Sequence, residues 1–320
     1  MIFTEEELRY FALPLSATED ARCKNAISMI RDALKGIGLS DGGVEIKALY
    51  ENTYAYGLNL MSQDRSRKVK IFVQGSYANN TNVRGNSDVD VAVIQEDIFQ
   101  TNYRSTQSDA DYGFVKAKTS DLSFKDEVQK CLEDKFGPNY VERHDKSIFI
   151  IGNSYHQQAD SVPCQRYRDY SSDYLYKESN YIGGVVIKAD SGERIINYPE
   201  QHIKNGAIKN IATNHWFKKM VRIIKKFRYL MKDDGIESAK KVSSFGLESL
   251  LWNIPDTIYG KYDRYIFNFE EIIDYLEKHI NDIATYTEAN GIKPLCPDLV
   301  TVNYYKRFVT DLNLYFEHEG

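Results

Sequence analysis

Asp88 and Asp90 stand one residue apart in Ser87-Asp88-Val89-Asp90-Val91-Ala92-Val93, a run whose apolar residues recur as on a strand. Successive strand side chains alternate faces, so the two carboxylates share one side while Val89, Val91 and Val93 enter a core. Two acids on one side repel each other unless a hard divalent cation lies between them. Mg2+ suits the position, because it binds through a few carboxylates together with substrate phosphate oxygens. Just upstream, an apolar run ending at Val73 meets Gln74-Gly75-Ser76-Tyr77. Gly75 lets the backbone approach a phosphate closely, and Ser76 offers a hydroxyl and an N–H at a helix start. Alone, an Asp-x-Asp is ordinarily a solvated pair and a Gly-Ser is ordinarily a turn. In this order and spacing they point to metal-assisted chemistry on a phosphate.

A second metal, the one that activates an attacking hydroxyl, needs a further ligand. Asp160 is the candidate, in Tyr155-His-Gln-Gln-Ala-Asp160-Ser-Val-Pro-Cys164, after the apolar strand Ser147-Ile-Phe-Ile-Ile151. Polar and small residues alternate here as on a half-buried strand that exits at a proline. An exposed strand aspartate would account for this segment alone; beside Asp88 and Asp90 the ligand reading is preferred.

The N-terminal half thus carries Gly75-Ser76, Asp88-x-Asp90 and Asp160 with Val162-Pro163. The C-terminal half carries Tyr198-Pro199-Glu-Gln-His202, Lys209-Asn210, Val221-Arg222-Ile-Ile-Lys225 and Ser243-Ser244-Phe245-Gly-Leu-Glu248-x-x-Leu-Trp252-Asn253. On these residues the chain resembles the bacterial CD-NTases, cyclic-oligonucleotide synthases related to cyclic GMP-AMP synthase and to oligoadenylate synthase. The resemblance implies an α+β fold, with a polymerase-beta-like nucleotidyltransferase lobe facing a C-terminal helical lobe. It implies that Asp88, Asp90 and Asp160 hold two Mg2+ ions, with Mn2+ as a substitute. Nucleoside triphosphates would be the substrates, with Gly75, Ser76, Lys225 and Ser244 at the triphosphate, Arg222 assisting and Phe245 stacking on the donor base. Attack of a ribose hydroxyl on the α-phosphate would release pyrophosphate, and the linear intermediate would then close into a cyclic di- or trinucleotide. Such a product is a second messenger of bacterial anti-phage signalling, which brings accessory defence proteins as partners.

The same residues have plainer readings. Lys218, Arg222, Lys225 and Tyr229 fall at i, i+4, i+7 and i+11 of a helix over Ile211 to Met231, and such a stripe is ordinarily a solvated face. Lys218 keeps that reading. A serine before a helix is ordinarily its N-cap, and Glu248 stands one residue too far from Ser244 for a reciprocal capping box. His156, His202 and His215 lack metal-ligand spacing and are assigned no chemistry. The stretch Tyr167 to Tyr181, with Arg166 and Arg168, follows Asp160 and is placed to line the base pockets, although most of the 24 tyrosines are structural.

The elements that must position these groups follow from periodicity. Two helices are expected between Ser16 and Ser62. The first opens on a capping box of Ser16 and Glu19; the second, with Ile46, Leu49, Tyr50 and Tyr54 on one face, would form a spine joining the lobes. A strand-rich region then runs from Val69 to about Tyr198, interrupted by a helix over Lys125 to Phe136, and the rest is helical. The expected division is a nucleotidyltransferase core over 1–200, including the N-terminal helices, and a helical domain over 201–320 that closes the nucleotide cleft. A chain of 320 residues that is 42% hydrophobic buries a large core. No run approaches the ~20 apolar residues of a membrane span, and the first residues lack the basic-then-apolar order of a signal peptide, so a cytoplasmic protein is expected. The four cysteines are scattered and read as reduced thiols. A net charge of −5 argues against a long nucleic-acid footprint, so activity on free nucleotides, without DNA or RNA, is expected. A templated or tailing polymerase and a nucleotide-binding module without catalysis remain as alternatives.

Overall fold

In the computed structural model of the chain the described residues are 2–42, 49–50, 53–85, 88–117 and 122–318. They open on a short strand, β1 (Ile2–Phe3), and two helices, α1 (Glu5–Phe11) and α2 (Ala17–Leu34). Each helix begins at a reciprocal capping box, Thr4 with Glu7 on α1 and Ser16 with Glu19 on α2. The boxes satisfy first-turn amides that have no partner inside the helix.

Three strands follow, β2 (Leu39–Ser40), β3 (Gly57–Ser62) and β4 (Lys68–Gln74), then the one-turn helix α3 (Gly75–Ala78) and the long β5 (Val89–Asn102). Helix α4 (Phe124–Phe136) precedes β6 (Val141–Arg143), β7 (Ile148–Ile150), β8 (Ala159–Asp169), β9 (Ile182–Lys188) and β10 (Arg194–Asn197). The sheet runs β10-β9-β8-β5-β4-β3-β2, with β7 and β6 branching from β8. Strands β5 and β8 run parallel, while β4 meets β5, and β9 meets β8, in antiparallel fashion. Two parallel neighbours begin at the same edge of a sheet, so acids near their starts come together. The strands' buried residues, among them Leu58, Leu60, Ile71, Val73, Val89, Val91 and Val93, form one core with Ile27, Ile30 and Leu34 of α2 and Val128 and Leu132 of α4.

The spine helix expected around Ile46 to Tyr54 is not found where the structure is described. Ile46 lies outside the described residues, Leu49 and Tyr50 occupy a bend, and Gly57–Ser62 is strand. The decisive signal was the period of two downstream, with Leu58 and Leu60 buried and Asn59 and Met61 exposed.

From residue 199 the chain is helical: α5 (Pro199–Ala212), α6 (Trp216–Asp233), α7 (Glu237–Lys241), α8 (Ser244–Trp252), α9 (Tyr265–Lys278) and α10 (Leu299–Tyr315), ending in β11 (Glu317–His318). A second core gathers Phe217, Val221, Ile224 and Phe227 of α6 with Leu247, Leu250 and Leu251 of α8 and Phe269, Phe308 and Leu312. Phe3, Leu8 and Ala12 belong to this core as well, so the first residues of the chain, grouped with the sheet by their place in sequence, pack on the helices. The Phe3 ring lies 4.6 Å from that of Phe227, and β1 pairs with β11 in parallel. Burying a ring of this size contributes about 1.5–3 kcal/mol, which offsets the entropy of fixing a chain terminus. Among the described residues no helix is long and apolar enough to cross a membrane.

Candidate active site

The sheet register brings the acids together. Asp90 of β5 lies directly opposite Asp160 of β8, and opposite Gln74 at the end of β4 on its other side. Asp88 stands two residues before Asp90, exposed, at the entrance to β5. Gly75 follows Gln74 at φ 71°, and an ideal Cβ there would overlap the Asp90 carboxylate. Glycine is thus required twice, by the left-handed backbone and by the close approach of the acid. The turn, Asp90 and Asp160 thus meet at one edge of the sheet, with Asp88 two residues before Asp90.

Each outer carboxylate is oriented by a neutral donor. Ser147 Oγ donates to Asp160 Oδ1 at 2.6 Å, and Gln158 Nε2 donates to Asp88 Oδ1. Neither donor was singled out in the sequence, where a serine before a strand and a glutamine before an Ala-Asp pair are unremarked polar residues. Neutral partners fix the acids without cancelling their charge. Burial, followed by the charges of Asp160 and Asp88, pushes the Asp90 carboxyl up to about 7, against a pull from Lys225.

A desolvated acid crowded by two others fits a divalent cation. Among the described residues no group of three Asp, Glu, His or Cys side chains is gathered closely enough to hold a metal ion by itself, and Mg2+ binds through a few carboxylates together with water and phosphate oxygens. The raised acid also carries a sign for stability. Asp90 holds its proton to higher pH in the folded than in the unfolded chain, so its contribution is full below about pH 4 and is lost as pH rises through about 7. Metal-free protein is therefore expected to melt at progressively lower temperature between about pH 5 and pH 8, and Mg2+ to raise the melting temperature more at the upper end. Scanning fluorimetry in EDTA and in Mg2+ checks this, and a Mg2+ increment that is the same across that range would contradict it.

At the helical side, α8 begins at Ser244, and its N-cap is Ser243, whose Oγ accepts from Gly246 N at 2.9 Å. The cap is thus filled by the neighbour, and the Ser244 hydroxyl sits on the first turn, accepting from Arg228 Nη1 at 3.4 Å. First-turn N–H groups and a hydroxyl make this end of α8 receptive to phosphate. Phe245 is 40% exposed, and its ring meets that of His202 nearly at right angles, with centroids 5.0 Å apart.

The basic stripe of α6 is not a solvated face. Lys218, Arg222 and Lys225 are all buried, and burial pushes the Lys218 ammonium down to about 8. Lys225 Nζ donates to Glu248 Oε2 at 2.9 Å and to Thr81 Oγ1 and O at 3.0 and 3.3 Å. An ammonium has three N–H groups, so Lys225 has none left for a triphosphate in this arrangement. Arg222 turns to backbone carbonyls, with Nε on Ala12 O at 2.6 Å and Nη1 on Asn80 O. Both residues expected at the phosphate thus make their hydrogen bonds to groups of the protein in this structure. Helical spacing groups residues on a face but does not say what covers that face.

Glu248 is the partner that the sequence hid. It stands past the N3 position that a capping box requires, and its second oxygen, Oε1, lies 3.0 Å from His202 Nε2. Its carboxyl is held well below the usual range by Lys225 and His202 despite its burial. Part of the Tyr-rich stretch is likewise engaged within the protein. Arg166 is enclosed by Glu96 and Glu200, and Arg168 lies 3.8 Å over the Phe99 ring. Tyr170 is buried against Tyr103 and Tyr112, so these side chains build the far end of the sheet.

Two family models match the chain: a nucleotidyltransferase domain over residues 58–151, and the cGAS/DncV-like nucleotidyltransferase C-terminal helical domain over 204–317. A cyclic GMP-AMP synthase, CdnE03 of Staphylococcus schleiferi, is 45% identical over 100% of this chain and 98% of its own. Among solved structures, the Rhodothermus marinus CdnE c-UMP-AMP synthase with Apcpp and Upnpp superimposes with a TM-score of 0.75 at 27% identity, covering 99% of this chain and 98% of that one. The Elizabethkingia meningoseptica CdnE cyclic dinucleotide synthase with GTP and Apcpp gives 0.72 at 30% identity, covering 98% of each chain.

Proposed function

Since the chain belongs to the cGAS/DncV-like nucleotidyltransferases, we propose that it joins nucleoside triphosphates into a cyclic di- or trinucleotide and releases pyrophosphate. The observation that carries this reading is the meeting of Asp90 and Asp160 across parallel strands beside Gly75, within a chain that is similar over its whole length to a cyclic GMP-AMP synthase. Asp88, Asp90 and Asp160 would hold Mg2+, two ions when the site is filled. Bound there, the metal supplies positive charge to the phosphates and acidity to the attacking hydroxyl. The chain's own part is positional. The backbone at Gly75 and Ser76 and the first turn of α8 at Ser244 take the donor's phosphate oxygens from opposite sides of the cleft. Phe245 offers a ring to the donor base. Ser147 and Gln158 each hold one outer carboxylate by a hydrogen bond, which limits the positions those acids can take around the reacting groups. A cytoplasmic location, a role in anti-phage signalling and accessory defence partners belong to the same proposal.

The relatives differ in the bases that their names record, GMP-AMP in one and UMP-AMP in another. The test therefore offers all four nucleoside triphosphates, with Mg2+, to the purified protein, with and without added DNA or RNA, and maps the products by mass spectrometry. The expected result is a phosphatase-resistant product without free terminal phosphates, formed with no nucleic acid present. A phosphatase-sensitive linear ladder would replace the cyclase by a tailing polymerase. Product only in the presence of DNA or RNA would overturn the expectation of activity on free nucleotides alone.

A further inference from the structure

The segment Asn79-Asn80-Thr81 joins the Gly75-Ser76 turn to the residues that lead into Asp88 and Asp90, and the helical half grips each of its three residues. Asn79 packs its side-chain amide 3.0 Å from His202 Nε2 of α5, a contact rather than a hydrogen bond when that nitrogen carries the N–H it donates to Glu248 Oε1. Asn80 O accepts from Arg222 Nη1 of α6, whose Nε also ties down Ala12 O. Thr81 is the hub. Its hydroxyl donates to Glu248 Oε2 of α8 at 2.7 Å and accepts from Lys225 Nζ of α6 at 3.0 Å, and its carbonyl takes a further N–H of the same lysine. On the other side the segment folds back on the phosphate-facing turn. Asn79 N donates to Gly75 O at 3.2 Å, and Thr81 N donates to Ser76 O at 2.9 Å.

Resting on the synthase reading above, we propose that His202, Arg222, Lys225 and Glu248 act as a clamp. They are positioning residues for the transfer reaction that fix the Gly75-Ser76 turn through Asn79, Asn80 and Thr81. Asn79, Thr81, His202, Arg222, Lys225 and Glu248 are each 5% exposed or less. Burying a lysine, an arginine and a glutamate is costly, and apolar packing would hold two lobes together at least as firmly. What directional hydrogen bonds add is a defined position for the peptide that they hold. That position sets how far the turn's N–H groups stand from the acids on β5, and misplacement by about 1 Å at such a site costs roughly a hundredfold in rate.

Thr81→Val keeps the side-chain shape and removes the hydroxyl on which Lys225 and Glu248 meet, whereas Thr81→Ser keeps it. The valine protein is expected to remain folded and to lose about tenfold or more in kcat, with KM within about threefold of the parent, and the serine protein to stay within about threefold in both. Should the valine protein not fold, Glu248→Gln, which keeps shape and loses charge, is expected to give the same split. Amide hydrogen exchange at Asn79 and Thr81 is the second readout and needs no substrate. It is expected to quicken in the valine protein and not in the serine protein, even if the parent proves to make no product and the synthase reading fails. A folded valine protein with the parent's kcat, a rise in KM alone, or unchanged exchange at these two amides would each overturn the clamp.

Discussion

An Asp90→Asn protein is expected to fold at least as stably as the parent and to make no measurable product. Asparagine matches aspartate in shape, so β5 keeps its register between β4 and β8. The substitution removes one of three like charges at a desolvated site where the Asp90 carboxyl is already pushed up to about 7, and relief of that repulsion favours the fold. The same charge is the one a divalent ion would use between Asp88 and Asp160. Losing such electrostatic stabilisation costs several kcal/mol of the barrier, roughly a thousandfold or more in rate. Product quantified by mass spectrometry, with the melting temperature measured on the same preparation, checks both halves. A folded asparagine protein within about tenfold of parental turnover would remove Asp90 from the chemistry.

Lys225→Ala is expected to destabilise the protein by about 3–5 kcal/mol, because it strands the Glu248 carboxylate, 1% exposed, without its main counter-charge. His202 remains beside Glu248 and softens the loss. Replacing both partners, as in Lys225→Met with Glu248→Leu, should recover most of the stability, since well-packed apolar groups substitute for a buried pair at little cost. Denaturant unfolding of the two variants measures this. The opposite pattern, with stability nearly unchanged and nucleotide affinity reduced at least tenfold, would mean that the ammonium leaves Glu248 to meet the triphosphate, as the sequence resemblance implies.

Much of the local geometry of the candidate site was legible before folding because it depends on short spacings. Asp88 and Asp90 share a face on any strand, Gly75 must be glycine wherever the backbone turns at positive φ, and Ser16 with Glu19 caps a helix whatever packs on it. The parallel pairing that sets Asp160 opposite Asp90 could be named only as an expectation. A strand's period shows which side a residue faces but not which strand lies beside it. Local pattern failed at Tyr50 and Tyr54, whose i and i+4 spacing suits a helix although Tyr50 lies in a bend, Tyr54 in no regular element, and β3 begins at Gly57.

The roles of charged side chains were decided by tertiary structure alone. A stripe of Lys218, Arg222 and Lys225 reads identically whether water, a phosphate or a carboxylate covers it, because helical spacing fixes only the face. The partners that cover it, Thr81 and Glu248, come from 144 and 23 residues away from Lys225 along the chain. Burial then changes the meaning of each charge: in a desolvated setting an ammonium must spend its donors on the nearest acceptors. The sequence by itself determined which residue types could do phosphate chemistry and in which elements they stand. Only the packing of α6 and α8 against Asn79, Asn80 and Thr81 decided which of those residues are buried among protein partners and which stay exposed, because desolvation and contact depend on distances that local sequence does not contain.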